Sequence, residues 1–198
     1  MKKLATLLMM VGLVFLIYGG YQYFTVQAKE SGATREAEAL IAERAQAPED
    51  KSTVMAAFDP ALGETIGLLE IDKIDARVPI IEGSDAESLD RGVGHYETTA
   101  FPGQGDQILL SGHRDTVFTK LGEVEVGDII TIELPYGRFD YKMVASKIVD
   151  ADDRTVIGST APNEELIVST CYPFGFVGSA PDRYVVYAVP VESEGEAK

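Results

Sequence analysis

A chain of 198 residues with 32 acidic and 17 basic side chains carries a formal charge of −15. That balance excludes DNA or RNA as a partner, because nucleic-acid affinity comes from neutralising phosphates with cations. The length suits one domain with accessory segments, and the chain holds one cysteine, Cys171, and two histidines, His95 and His113.

The first element is apolar. Met1-Lys2-Lys3 precedes Leu4–Phe24, a stretch of 21 residues without a charge. As a helix it is about 31 Å long, the hydrocarbon thickness of a bilayer. The lysines place the N-terminus inside and the rest of the chain outside, and Tyr18, Tyr21 and Tyr23 suit the far interface. Length favours an uncleaved anchor (residues 1–24) over a signal peptide cut near Val26 and Ala28. Residues 25–62 follow as a stalk. Within it "TREAEALIAERAQA" is rich in helix formers, with Ala37, Leu40, Ile41 and Ala45 on one face and Pro48 as its end. A solvated spacer is the favoured reading, with docking of that narrow stripe on the domain, on lipid or on another chain as the alternative.

From Gly63 the pattern becomes that of strands. Ile66–Ile71, Ile74–Ile81, Gln107–Gly112, Asp128–Leu134, Arg138–Val149, Glu165–Thr170 and Arg183–Val191 are short, β-branched and bounded by turn residues, and Val93–Glu97 is a possible eighth. Pro135-Tyr136-Gly137 joins a hairpin, and "SDAESLDRG" reads as one short helix with Ser84 or Asp85 as N-cap and Gly92 as its stop. Strands do not alternate with long helices, so the fold class is all-β, a barrel or sandwich spanning residues 63–191. Residues 192–198 form an acidic tail.

Outside the cytoplasm a lone cysteine suggests an intermolecular bridge or a reactive thiol, with a small buried hydrophobe as the alternative. A thiol becomes a nucleophile when a histidine or cation stabilises its thiolate. Cys171 ends one apolar strand in "LIVSTCYPFGF", and His113 ends another in "LLSGHRDT". Arg183 opens the last strand, beyond a Gly/Pro-rich loop. Adjacent strand ends of one barrel bring such side chains to a common cleft, where a guanidinium can bind a developing oxyanion. Arg114 also reads as a surface charge or as a partner of Asp115 or Asp182, Arg183 as a surface charge or a partner of Asp182, and His95 in "GVGHYETT" as a structural or rim histidine.

With "IGLLEIDKIDARVPIIEG" ahead of them, "LLSGHRDT", "IVSTCYP" and "PDRYVVYA" in that order resemble the sortases, membrane-anchored cysteine transpeptidases of bacterial surfaces. The resemblance covers roughly Ile66–Val191. It implies a closed eight-stranded sortase-type β-barrel with Cys171 as nucleophile, His113 as acid/base, Arg183 as oxyanion or substrate clamp, and Thr170 lining the same site. Where the family has Thr-Leu-x-Thr-Cys this chain reads Ile167-Val168-Ser169-Thr170-Cys171, a departure that bears on subclass. The Tyr-Pro after the cysteine and the His-Arg-Asp run look most like class D.

The resemblance further implies a surface protein bearing a Leu-Pro-x-Thr-Gly or Leu-Pro-x-Thr-Ala signal as acyl donor, and an amine of peptidoglycan or its lipid-linked precursor as acceptor. No cofactor or metal is required. Val156, Ile157, Ala161 and Pro162, apolar residues of the Arg154–Glu165 loop, are candidates to bind the Leu-Pro part, with packing on their own barrel as the alternative. Asp150, Asp152 and Asp153, and Glu123 and Glu125, are oxygen-rich enough to raise calcium, but adjacent acids on a solvated turn are the commoner case. Hydrolysis of the same acyl-enzyme and a non-catalytic binding module are the rival functions.

Overall fold

The computed structural model describes residues 2–45, 50–176 and 178–191. Pro48 as a helix stop and the acidic tail at 192–198 therefore lie outside the described residues. Helix α1 (Lys2–Ala45) is one continuous helix of 44 residues, so apolar segment and stalk share an axis. Its Leu4–Phe24 portion is exposed all round and is long and apolar enough to cross a membrane. The stalk portion departs from a solvated spacer: Ala33 and Ala37 are buried against the domain. Small side chains on that face let the helix approach the sheet closely, and charged residues flanking them make ion pairs. A short helix α2 (Lys51–Ala56) follows.

Eight strands close a barrel: β1 (Thr65–Ile71), β2 (Ala76–Glu82), β3 (Val93–His95), β4 (Gln107–Gly112), β5 (Ile129–Leu134), β6 (Gly137–Asp150), β7 (Glu165–Tyr172) and β8 (Asp182–Pro190), in the order β1-β2-β3-β4-β7-β8-β6-β5. The possible eighth strand near Val93 is thus β3, which is only three residues long. Ile74 belongs to a 3-10 turn (Asp72–Ile74) rather than to β2, because Asp75 adopts a left-handed conformation and breaks the extended run. Helix α3 (Ala86–Leu89) is capped by Asp85, whose carboxylate accepts the amides of Glu87 and Ser88, and it ends before Gly92.

The β2–β3 and β4–β7 pairs are parallel and every other pair is antiparallel. Following these directions around the barrel puts the C-terminal ends of β1, β4, β6 and β7 at the same mouth as the N-terminal ends of β2, β3, β5 and β8. Alternate residues of β4 and β7 fill two compartments. Ile108, Leu110, Leu166 and Val168 enter the main core, while Leu109 and Ile167 join Val185 in a second cluster on the outer wall. Burial on both faces explains why these strands read as unbroken apolar runs.

Candidate active site

The site is built at the ends of three adjacent strands. In the parallel β4–β7 pair Gly112 lies opposite Thr170, so His113 and Cys171 each follow by one residue. In the antiparallel β7–β8 pair Cys171 lies opposite Arg183. Period-2 alternation sends Thr170 inward with Val168, and Cys171 outward with Ile167. By the same count His113 shares the outer face of Leu109, and Arg183 that of Val185. All three candidate catalytic side chains line one cleft of about 320 Å³, together with Arg114, Asp115 and the Gly178–Ala180 segment. The thiol is free and partly exposed.

Thr170 is placed differently from the expectation. It is 2% exposed and its hydroxyl donates to the Gly112 carbonyl at 2.7 Å, so it fastens the ends of β4 and β7 and does not line the cleft. Gly112 itself allows the chain to turn into the His113 loop under an aromatic roof. A Cβ there would stand 2.6 Å from the Phe118 ring and 2.7 Å from Val117, and the Phe118 amide donates to the His113 carbonyl at 3.0 Å.

Both arginines bond carbonyls here, in place of the Asp115 or Asp182 pairing that was open from sequence. Arg183 donates to the Asp182 carbonyl at 2.9 Å and the Ala180 carbonyl at 3.4 Å. Arg114 donates to the carbonyls of Pro173 (3.1 Å), Phe176 (2.6 Å) and Gly178 (2.9 Å) and lies over the Phe176 ring. One guanidinium beside His113 therefore holds three points of the loop that follows Cys171. A charge next to a histidine was visible in the sequence; its carbonyl partners, some 60 residues away, were not.

The 151–164 loop leaves β6 at the mouth and reaches β7 at the far end, about 20 Å from Cys171 at the usual strand rise. Ile157 packs against the outer-wall cluster of Leu109, Ile167 and Val185. The Val156 carbonyl accepts from the Gln107 side chain at 3.1 Å. Ala161 and Pro162 are exposed, and none of the four loop residues lines the cleft at Cys171. The loop is pinned by Asp106, whose carboxylate accepts the amides of Gln107, Thr160 and Ala161 and the hydroxyl of Ser159. Those bonds, led by the Gln107 and Thr160 amides, hold its pKa below the ordinary aspartate value.

His95 is buried away from this cleft. It stacks on Phe101, and its Nδ1 lies 2.8 Å from the Glu82 carboxylate. The carboxylates of Asp150 and Asp153 accept the amides of Asp152 and Thr155, as turn-capping groups do. Among the described residues no group of three or more His, Cys, Asp or Glu is arranged to hold a metal.

A closed, mixed eight-stranded barrel with a free thiol at the end of its seventh strand is the architecture of the sortase type of cysteine transpeptidase. The sortase domain family profile matches residues 69–191, and the chain belongs to that family of cysteine transpeptidases. Among its relatives, Sortase D of Bacillus subtilis (strain 168) is 44% identical over 194 residues, covering 94% of this chain and 98% of that protein. The structure of a Clostridium perfringens Sortase D5 transpeptidase superposes with a TM-score of 0.71 at 26% identity, over 83% of this chain and 99% of that one. The fold is shared with C. perfringens sortase C, solved with the C-terminal cell wall sorting motif, at a TM-score of 0.62 and 22% identity, over 80% of this chain and 91% of that one. The likeness to class D inferred from the Tyr-Pro and His-Arg-Asp runs agrees with the Bacillus subtilis Sortase D relative.

Proposed function

We propose that this sortase, anchored by Leu4–Phe24 with its barrel outside the cell, cleaves a Leu-Pro-x-Thr-Gly or Leu-Pro-x-Thr-Ala signal after threonine and transfers the surface protein to a cell-wall amine. The observation that carries the reading is the opposition of Cys171 and Arg183 in register, with His113 one strand away on the same cleft. The Cys171 thiolate attacks the threonine carbonyl carbon. The C–S bond forms while charge moves to the carbonyl oxygen, which the Arg183 guanidinium stabilises. Collapse expels the amine of the following residue, protonated by the His113 imidazolium. This leaves a thioacyl enzyme and a neutral imidazole. An amine of peptidoglycan or its lipid-linked precursor then attacks the thioester, giving up a proton to His113 and releasing Cys171.

Mass spectrometry of the full chain after incubation with a library of sorting peptides tests the reading. The expected result is a thioester adduct on Cys171 carrying the peptide through its threonine carbonyl, with the residues after threonine lost; it is absent from Cys171→Ala and discharged by a short amine to an amide product. Peptide cleavage retained by Cys171→Ala rejects the thiol mechanism. Discharge only to the free acid, with amine present, makes the enzyme a peptidase.

A further inference from the structure

We propose that helix α1 holds the catalytic mouth of the barrel toward the bilayer, so that the Cys171 cleft opens on a polypeptide tethered in the same membrane leaflet. The inference rests on the reading of Leu4–Phe24 as a membrane anchor and goes beyond it, because an anchor by itself leaves the direction of the barrel free.

Two observations fix the direction. The first is strand polarity, which gathers the 72–75, 113–128 and 173–181 connections at the mouth that holds Cys171, and the Leu134–Gly137 turn at the opposite end. The second is the order in which α1 meets these ends. Glu30 borders a hollow walled by Asp75 and the first residues of β2 on one side and by Thr116, Thr119 and Lys120 of the mouth on the other. Leu40, ten residues later, borders a hollow with Phe58 and Pro135 at the far end. Travelling outward from the apolar segment, the helix therefore passes the catalytic mouth first and the far end about 15 Å later.

The contact is fixed along its length. Lys29 pairs with Asp90 at 3.0 Å, Glu36 accepts from Thr65 at 2.7 Å and from Arg91 at 3.1 Å, Glu38 pairs with Arg77, and Ala33 and Ala37 are buried between these pairs. The helix also runs unbroken through the junction with the apolar segment, where side-chain hydroxyls of Thr25 and Ser31 bond the carbonyls of Tyr21 and Gln27. From Phe24 to Glu30 is only about 9 Å of helix. The mouth thus stands within a few helical turns of the membrane surface, and the barrel's long dimension lies beyond it.

The test uses the full chain in vesicles, in the Cys171→Ala background, with a single donor fluorophore on Thr119→Cys at the mouth or on Glu97→Cys at the far end. The acceptor dye is carried on lipid headgroups. Since the two positions lie about 20 Å apart along the barrel, transfer from 119 is expected to exceed transfer from 97 by about twofold or more. Equal transfer, or stronger transfer from 97, overturns the proposal. Flotation with the vesicles after an alkaline wash is scored on the same samples. A chain lost from the vesicles overturns the anchor reading and this one with it, whereas a chain retained with equal transfer overturns the orientation alone. A flexible Gly-Ser insertion after Val26, in variants with unchanged melting temperature, is expected to equalise the two signals; a bias that survives it overturns the role of the continuous helix.

Discussion

Cys171 and Arg183 are direct partners in the β7–β8 ladder, on the same outward face. The pairing makes their separation a property of the sheet rather than of a loop, and among the described residues the guanidinium is steadied by the neighbouring carbonyls of Ala180 and Asp182. It can therefore turn an N–H toward a carbonyl oxygen held at the sulfur without breaking an ion pair. Arg183→Ala is expected to slow thioacyl formation by roughly 10²–10³-fold, the usual cost of one oxyanion donor. Arg183→Lys should recover only part of that, since an ammonium lacks the planar fork. Single-turnover acylation measures both, with melting temperature as control. Acylation as fast as wild type in Arg183→Ala removes this residue from the mechanism.

Thr170 is expected to act through its hydrogen bond to Gly112. Thr170→Val keeps the shape but leaves the Gly112 carbonyl without its 2.7 Å bond at the junction of β4 and β7. An unsatisfied buried acceptor costs about 1–3 kcal/mol. In a domain of this size that is a fall in melting temperature of roughly 3–10 °C. Thr170→Ser keeps the donor and should lose much less stability. A drop in sorting-peptide affinity with unchanged melting in Thr170→Val would instead return this residue to the substrate site.

The barrel was legible because its strands are short, β-branched and sharply punctuated, and because β4 and β7, buried on both faces, read as apolar runs. The clustering of Cys171, His113 and Arg183 on one cleft was legible because each sits at a strand end, and strand ends of one barrel converge. The parts that were not legible depend on relations distant in sequence. Whether Ala33 and Ala37 face solvent or sheet is undetermined by helical periodicity, since the deciding partners are Thr65, Arg77 and Arg91. Thr170 was carried to the site by its place in the Thr-Cys pair of the family motif, although alternation along a strand turns neighbours to opposite faces. The loop residues from Val156 to Pro162 looked available for substrate because loops carry function, while Ile157 is spent on the outer-wall cluster.

Arg114 is expected to govern the order of the loop after Cys171. Its three carbonyl acceptors span Pro173 to Gly178, and the loop supplies one wall of the cleft. In Arg114→Ala, amide exchange should rise across residues 174–180 with little change elsewhere, and kcat/KM should fall about tenfold or more as the wall loosens. Arg114→Lys can satisfy fewer of the three carbonyls and is expected to lie between. Unaltered exchange in that loop in Arg114→Ala would show that the clamp has no hold on it.

Acid is expected to release the 151–164 loop through Asp106. The amides of Gln107 and Thr160 and the Ser159 hydroxyl favour its charged form, so its folded pKa is lower than in the unfolded chain. A depressed carboxylate contributes stability that is present above the unfolded value, about 3.9, and is lost as pH falls through the folded one. The anchor therefore holds throughout the neutral range and fails only below about pH 4. Carboxyl-carbon NMR should titrate Asp106 below an unperturbed aspartate, and amide protection at Thr160 and Ala161, corrected for intrinsic exchange, should fall along the same curve. Asp106→Ala should lower that protection already at neutral pH, freeing Ile157 from Leu109, Ile167 and Val185 while leaving the main core intact. A normal titration of Asp106, or protection at Thr160 that survives its loss, would mean that the loop is held without Asp106, by Ile157 packing and the Gln107 side chain.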